Sequence, residues 1–257
     1  MKMHAGWSVA FALVVAFLLA ACTGGGDSAD PTRNWSEARL YREARAALDD
    51  GDFETAIDYY GKLGARFPFG SHAPQGQLDL VYAYYRFREP DSAIEEAERF
   101  IEFHPRHPEA AYAHYIKGLT NYGRRYGWFD RFLRTDRAER DTSEFAAAFE
   151  DFKAVAERFP DSRYAADATD RMVELRDPLA RHELVVAQYY LERETWVAAA
   201  NRAQYVVRNF PTSPSSGPAL AIMVQAYRAI GLDGLAADSL RVLRANHPGA
   251  PDPSRTP

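Results

Sequence analysis

Between residues 35 and 248, apolar residues recur three and four positions apart, which is the spacing of one face of an α-helix. Two examples are the sets Phe53, Ile57, Tyr60 and Phe145, Phe149, Phe152. The chain shows no sustained alternation of apolar and polar residues and no Asn-Gly hairpin, the two main signals of β-strands. The pattern therefore predicts an all-α fold built from amphipathic helices.

Five of the prolines in this region follow a Phe or His in a recurring ending, and each of these five has an alanine twelve residues before it. A proline ends a helix because it lacks a backbone N–H and disfavours helical geometry in the preceding residue. A small residue at a fixed distance before that end predicts a point where two helices cross closely. The pairs are Pro68 with Ala56, Pro105 with Ala93, Pro160 with Ala148, Pro211 with Ala199, and Pro248 with Ala236.

The repeated unit is a pair of helices, and it resembles the tetratricopeptide repeat of about 34 residues. Tyr84, Tyr190 and Tyr227 each lie twenty-one residues before a closing proline, which supports a common register. The segments Asp50-Gly51-Asp52 and Gly231-Leu232-Asp233 predict turns inside two of the pairs. We predict an α-solenoid of about five tetratricopeptide-like helix pairs over residues 35–248.

The third and fourth repeats are longer than the others. An insertion over about residues 123–141 separates the helices of the third repeat, and insertions of this kind map to one face, often a binding face. The fourth repeat has a long first segment, in which Pro178 predicts a kink or a break.

The apolar N-terminal segment, residues 1–21, begins with Lys2 and His4 and closes with Leu19-Ala20-Ala21, a layout typical of a secretory signal peptide. Cys22, the only cysteine, follows directly. This arrangement resembles the bacterial lipoprotein signal, in which the cysteine receives a diacylglycerol and becomes the first residue of the mature chain. The alternatives are an uncleaved membrane span, for which the stretch is barely long enough, and a buried structural cysteine, which the following glycines disfavour.

Composition divides the remainder of the chain. Residues 22–34 are rich in Gly, Ser, Asp and Pro after the cysteine, and they predict a flexible tether. Residues 249–257 predict a disordered, Pro-rich tail. The helical repeats between these segments form one domain.

Charge and motifs exclude several functions. The net charge is −5 and no basic stripe is present, which argues against a nucleic-acid partner. No Gly-rich phosphate loop, nucleophile elbow or zinc-helix motif occurs, so we predict no enzymatic activity. His104 and His107 flank Pro105 and predict a helix end rather than a metal site, because no further ligands share their spacing. The expected cofactor is none, apart from the covalent lipid on Cys22.

Several stretches together resemble the BamD (ComL) family, the lipoproteins of the outer-membrane β-barrel assembly machine. The resemblance covers nearly the whole mature chain and includes the end of the insertion, so it is more specific than the repeat pattern. The stretches are Arg66-Phe67-Pro68-Phe69-Gly70, residues 77–85, Lys117-Gly118-Leu119-Thr120-Asn121, residues 136–141, and the dipeptide Asn201-Arg202.

The resemblance implies a solenoid held by lipid on the periplasmic face of the outer membrane, and Thr23 resembles the sorting pattern for release to that membrane. It implies that the C-terminal repeats bind the periplasmic arm of BamA, with Arg202 in contact, alongside other subunits of the machine. It also implies that the N-terminal repeats receive unfolded β-barrel proteins in their groove, where Tyr82, Tyr85 and Arg86 lie on the matching helix.

One alternative is a different tetratricopeptide lipoprotein that scaffolds peptidoglycan enzymes or other cell-envelope complexes. The insertion and the Asn201-Arg202 dipeptide favour the assembly machine. A periplasmic hydrolase would need a catalytic domain, and the repeats leave no room for one. The sequence therefore predicts an outer-membrane protein assembly factor that acts as a lipid-anchored scaffold.

Overall fold

The computed structural model of the chain describes residues 30–124, 142–250 and 253. In these residues ten α-helices follow one another in five pairs, and no strand occurs. The predicted all-α class and the tetratricopeptide-like pairs are confirmed. The helices are α1 Glu37–Asp50, α2 Phe53–Arg66, α3 Ala73–Phe87, α4 Pro90–Phe103, α5 Ala110–Arg124, α6 Ser143–Arg158, α7 Ala165–Glu192, α8 Trp196–Asn209, α9 Ser216–Ala229 and α10 Asp233–Asn246.

Each helix packs against the next one along the chain, as in a solenoid of helical hairpins. The first helices of neighbouring pairs also touch, α1 with α3, α3 with α5, and α7 with α9. The first helices therefore share one face of the stack, and side chains from successive repeats meet there. None of the helices in the described residues is both long and apolar enough to cross a membrane.

The second helix of every pair ends in the same way. The residue before the closing proline leaves helical geometry, with φ between −129° and −134°, and its N–H donates to the carbonyl four residues earlier. Proline imposes this conformation because its ring clashes with a helical neighbour. The five residues are Phe67, His104, Phe159, Phe210 and His247.

The turn inside the first pair follows from its Asp-Gly-Asp sequence. Gly51 ends α1 with φ of 80°, in the left-handed region that glycine adopts without a steric cost. The Asp52 carboxylate then accepts a hydrogen bond from the Thr55 N–H at 3.2 Å and caps α2. Gly231, with φ of 74°, occupies the matching turn between α9 and α10.

The alanines twelve residues before the prolines are all buried. Ala56, Ala93, Ala148 and Ala199 are completely buried, and Ala236 is 1% exposed. Protein interiors are packed to the density of organic crystals, so these sites have no space for a larger side chain. The sequence predicted close packing at these positions, and the burial of all five alanines agrees with it.

Pro178 does not break α7, which runs without interruption for 28 residues. Of the two outcomes that the sequence allowed at this position, the break is wrong. Leu175, Leu179 and Ala180 surround the proline and are all buried in the core shared by α6 to α10. This packing on both sides outweighs the loss of one backbone hydrogen bond at the proline.

Parts of the predicted domain plan lie outside the described residues, namely Cys22 with the signal segment and nearly all of the insertion. Residues 30–34, which composition assigned to the tether, fold against α2, and Thr32 is completely buried. Of the predicted tail, Ala250 packs against the C-terminal core and Pro253 is buried.

We expect Ala236→Leu to lower the free energy of unfolding by about 1–3 kcal/mol, because added methyl groups overpack a helix crossing. Ala237→Leu is the matched control, since Ala237 is the next residue of α10 and is exposed. Thermal and urea unfolding followed by circular dichroism would measure both. Equal midpoints for the two variants would contradict the assignment of Ala236 as a crossing point.

Candidate functional site

The N-terminal repeats enclose a groove of about 460 Å³ on the face formed by the first helices. Residues from α1, the start of α2, α3, the start of α5 with the residue before it, and the connection between α6 and α7 contribute to its walls. The walls combine cationic, aromatic and acidic side chains. They include Arg45, Phe53, Asp79, Tyr82, Arg86, Glu109, Tyr112 and Arg163.

The structure brings the three predicted groove residues together at the C-terminal end of α3. The Arg86 Nη1 donates to the Tyr82 hydroxyl at 2.6 Å, and the rings of Tyr82 and Tyr85 lie 6.4 Å apart. The Arg86 guanidinium also lies 5.0 Å from the centre of the Phe53 ring and 5.5 Å from that of Tyr82. Such cation–π contacts fix the orientation of the guanidinium.

Arg86 also borders a second cavity of about 330 Å³, which Tyr85, Arg88 and Thr120 help to line. Arg88 ends α3 with φ of 63°, a left-handed conformation that is uncommon for an arginine. Backbone strain of this kind occurs often at functional sites. The two cavities therefore meet at a ridge of cationic and aromatic side chains that ends α3.

The floor of the groove holds a carboxylate that the sequence analysis assigned no role. Asp79 is 6% exposed and accepts hydrogen bonds from the hydroxyls of Tyr60 at 3.0 Å and Tyr41 at 3.3 Å, and from the Gln75 amide at 2.8 Å. Burial, together with the charge of Asp79, raises the pKa of Tyr60, which keeps this phenol a donor. The signal in the sequence was an acidic residue between Leu78 and Leu80 on an otherwise apolar segment.

Aromatic side chains continue the groove towards the fourth repeat. Tyr164, just before α7, stacks on Tyr115 with ring centres 4.9 Å apart and lies 5.4 Å from Tyr112. The Tyr115 hydroxyl donates to Asp167 at 2.6 Å, and the Arg171 Nε donates to the same carboxylate oxygen at 2.6 Å. Burial raises the pKa of Tyr112, so its hydroxyl stays protonated. Sequence analysis did not single out these tyrosines.

This surface is suited to binding a polypeptide. Tyrosine rings offer apolar area with a hydrogen-bonding tip, and the arginines offer donors for backbone carbonyls or carboxylates. Across residues 30–124 and 142–250, no three His, Cys, Asp or Glu side chains are grouped so that they could hold a metal ion. His104 and His107 instead pack on the Phe100 ring, at 5.0 and 5.3 Å between ring centres.

Arg202 lies on α8, in the fourth repeat, and borders neither cavity. Its Nη1 donates to both carboxylate oxygens of Glu183 on α7, at 3.0 and 3.3 Å. The side chain is 49% exposed, and only Nη1 is engaged with Glu183. Tyr205 and Val197, also on α8, are exposed apolar side chains near it in sequence. Arg202 is therefore an oriented cation on an accessible surface.

Comparison with known proteins finds one matching family and relatives that share one name. The family model of YfiO, described as an outer membrane lipoprotein, matches residues 33–243. "Outer membrane protein assembly factor BamD" of Neisseria meningitidis serogroup A is 40% identical over 236 residues, covering 91% of this chain and 88% of the relative. The protein of that name from Vibrio cholerae is 37% identical, covering 81% and 87%, and that from Pasteurella multocida is 34% identical, covering 93% and 90%.

Among solved structures, the chain is similar to the TPR-like repeats of a putative kinesin light chain from Podosopora anserina. The sequence identity is 16% and the TM-score is 0.36, over 81% of this chain and 92% of that chain.

We expect Asp79→Ala to lower the free energy of unfolding by about 1–3 kcal/mol, because it leaves the buried Tyr60 hydroxyl without its acceptor. Asp50→Ala is the control, since Asp50 is the exposed last residue of α1; its cost is expected to stay within about 0.5 kcal/mol. Urea unfolding would measure both. A loss at Asp79 no larger than at Asp50 would exclude a structural role for the network.

Proposed function

This chain belongs to the YfiO family of outer membrane lipoproteins, and on that premise we propose that it is a lipid-anchored scaffold for the assembly of outer membrane proteins. In this role it binds the periplasmic arm of BamA and receives unfolded β-barrel proteins. The observation that carries the proposal is the family match itself, because it extends from residue 33 to 243 and so covers all five helix pairs but the end of α10.

Outer membrane protein assembly is the function that the relatives' name states, and membership of the family extends it to this chain. The same name favours assembly over the alternative of a scaffold for peptidoglycan enzymes. The family also associates the chain with the outer membrane. Attachment through lipid on Cys22, and a position on the periplasmic face, are parts of the proposal.

The groove of the N-terminal repeats is the proposed receptor for unfolded substrates. An extended chain can lay side chains along Tyr82 in the groove and Tyr85 in the adjoining cavity, while Arg86, which borders both, donates to its carbonyls or carboxylates. An unfolded ligand loses conformational entropy when it binds, and this offsets part of the contact energy. The resulting modest affinity suits an assembly factor, which must release each substrate after delivery.

Arg202 is the proposed contact with BamA. Glu183 holds the guanidinium in one orientation, so little side-chain entropy remains to be lost on binding. The Nε and Nη2 donors take no part in the contact with Glu183 and can reach an acceptor on a partner. Exposed Tyr205 lies one helical turn away and supplies apolar area of the kind that interfaces favour.

The proposed mechanism contains no catalytic step. The scaffold works by geometry, because a stack of helix pairs can hold an extended ligand at one set of repeats and a folded partner at another. The groove and Arg202 lie in different repeats, so both contacts can be made at once.

We expect Arg202→Glu to weaken binding of the BamA periplasmic domains by about tenfold or more, because it places a second carboxylate beside Glu183 and removes the donors. Co-purification and biolayer interferometry would measure this. Arg208→Glu is the control, since it reverses an exposed arginine on the same helix.

Circular dichroism would establish that both variants keep their helix content. Unchanged affinity of a folded Arg202→Glu variant would show that BamA binds elsewhere.

We expect Cys22→Ser to release the protein from the membrane into the periplasm, because two or more acyl chains are what hold such an anchor stably. Fractionation of cells, with mass spectrometry of the N-terminal peptide, would test this. Membrane vesicles stripped of BamA are the control, because the protein cannot be retained on them through that partner. A Cys22→Ser protein that still floats with such vesicles would contradict the lipid assignment.

A further inference from the structure

Residues 30–34 are held against α2 by a group of hydrogen bonds to Asp30 and Thr32, which we call the clamp. The Asp30 carboxylate accepts hydrogen bonds from the Thr32 N–H at 3.0 Å, the Thr32 hydroxyl at 2.8 Å and the Lys62 ammonium at 3.2 Å, and Arg66 donates to the same carboxylate. Arg66 Nη1 also donates to the Thr32 carbonyl at 2.7 Å. The bonds from Thr32 lower the pKa of Asp30, so the clamp holds its charge at neutral pH.

The loop between α2 and α3 lies at the same end of the first helix pair. The Glu37 carboxylate, in the first turn of α1, accepts from the His72 N–H at 2.7 Å and from the Ser71 hydroxyl at 3.3 Å. A Cβ at Gly70 would lie 2.4 Å from that carboxylate, so the loop approaches α1 closely. Residues 30–36 and 67–72 together form what we call the proximal end.

Phe69 projects from the proximal end into solvent. It is 99% exposed and lies between Pro68 and Gly70, while Phe67 turns inward and packs against the buried side chains that α1, α2 and α3 share. In the other four repeats, the residue directly after the closing proline is polar or glycine. Those residues are Arg106, Asp161, Thr212 and Gly249. An exposed aromatic at this position is therefore special to the first repeat.

The distance from the clamp to Cys22 is short. Seven residues separate Cys22 from Asp30, and even when fully extended this stretch spans no more than about 29 Å. A lipid on Cys22 therefore confines the proximal end to the neighbourhood of the bilayer surface, whatever path these residues take. The composition alone predicted a tether that continues to residue 34, which would allow a greater distance between Cys22 and the first repeat.

We propose that the proximal end lies against the lipid surface, with the Phe69 side chain inserted in the interfacial region of the bilayer. This inference rests on the proposed lipid anchor at Cys22. Aromatic side chains favour the membrane–water interface. One ring adds little to the attachment that several acyl chains give, so the anchor and the short link to Asp30 hold the first repeat nearest the membrane, and position 69 lies in the interface as a result.

Thiol accessibility tests the proposal in the full lipidated protein. Cys22 is the only cysteine, and in that form its sulfur carries the diacylglycerol as a thioether, so Phe69→Cys provides a single free thiol. We expect a charged maleimide to label it about tenfold more slowly on vesicles of phosphatidylethanolamine and phosphatidylglycerol than in the soluble Cys22→Ser background, because an apolar environment suppresses the thiolate.

Leu235→Cys is the matched control, since Leu235 is an exposed apolar residue on α10, in the last repeat. Its labelling rate is expected to be the same on vesicles and in solution. Equal rates at position 69 in a protein that floats with the vesicles would overturn the proposal while leaving the anchor intact. A protein that fails to float, or a wild type that is labelled at Cys22, would overturn the anchor and the proposal together.

Asp30→Ala tests the clamp separately. Without the carboxylate, residues 30–34 can detach from α2 and the reach from Cys22 to the first repeat increases. We expect the protection at Phe69→Cys to fall while flotation stays unchanged. Full protection in the Asp30→Ala background would show that the clamp does not position the proximal end.

Discussion

The array depends on the backbone constraint that a proline places on the residue before it. In all five repeats that residue leaves helical geometry at nearly the same angles, and its N–H closes the last turn of the second helix. Each second helix therefore stops at the same distance from its buried alanine. Because the end of the second helix and the buried alanine keep the same spacing in every repeat, all pairs pack in the same way. Each pair therefore presents its first helix to the shared face, and the groove lies on that face.

The core is not divided evenly along the stack. One cluster joins α6 to α10, whereas α1 to α5 rely on smaller clusters joined by polar contacts such as those of Asp79. The cavities lie in this N-terminal half, and the proposed contact with BamA lies in the C-terminal half. A solenoid responds mainly through its nearest-neighbour interfaces, so the groove can adapt to a ligand while the larger core keeps Arg202 in place.

The sequence alone predicted the structural features that depend on residues close together in the chain. The proline–alanine pairs gave the helix ends and the close-packed positions, whereas Tyr82, Tyr85 and Arg86 came from the resemblance to a known family, which implied that they share a helix. The Asp79 network was not predictable in this way, because its donors come from α1, α2 and α3. Pro178 misled for a related reason, since burial of its neighbours overrides a local preference. Thr32 lies in a tract whose composition is that of a linker, yet it is buried and its carbonyl accepts a hydrogen bond from Arg66, which is 34 residues away in the chain.

The clamp also determines where the protein can be shortened for work in solution. A recombinant form that starts at Trp35 follows the boundary suggested by composition, but it lacks Asp30 and Thr32. Arg66 then loses every hydrogen bond described for it, while Lys62 keeps Asp58 at 2.7 Å. Melting temperatures recorded on such a truncation describe a weakened first repeat, so a truncation boundary before Asp30 preserves the native fold of that repeat.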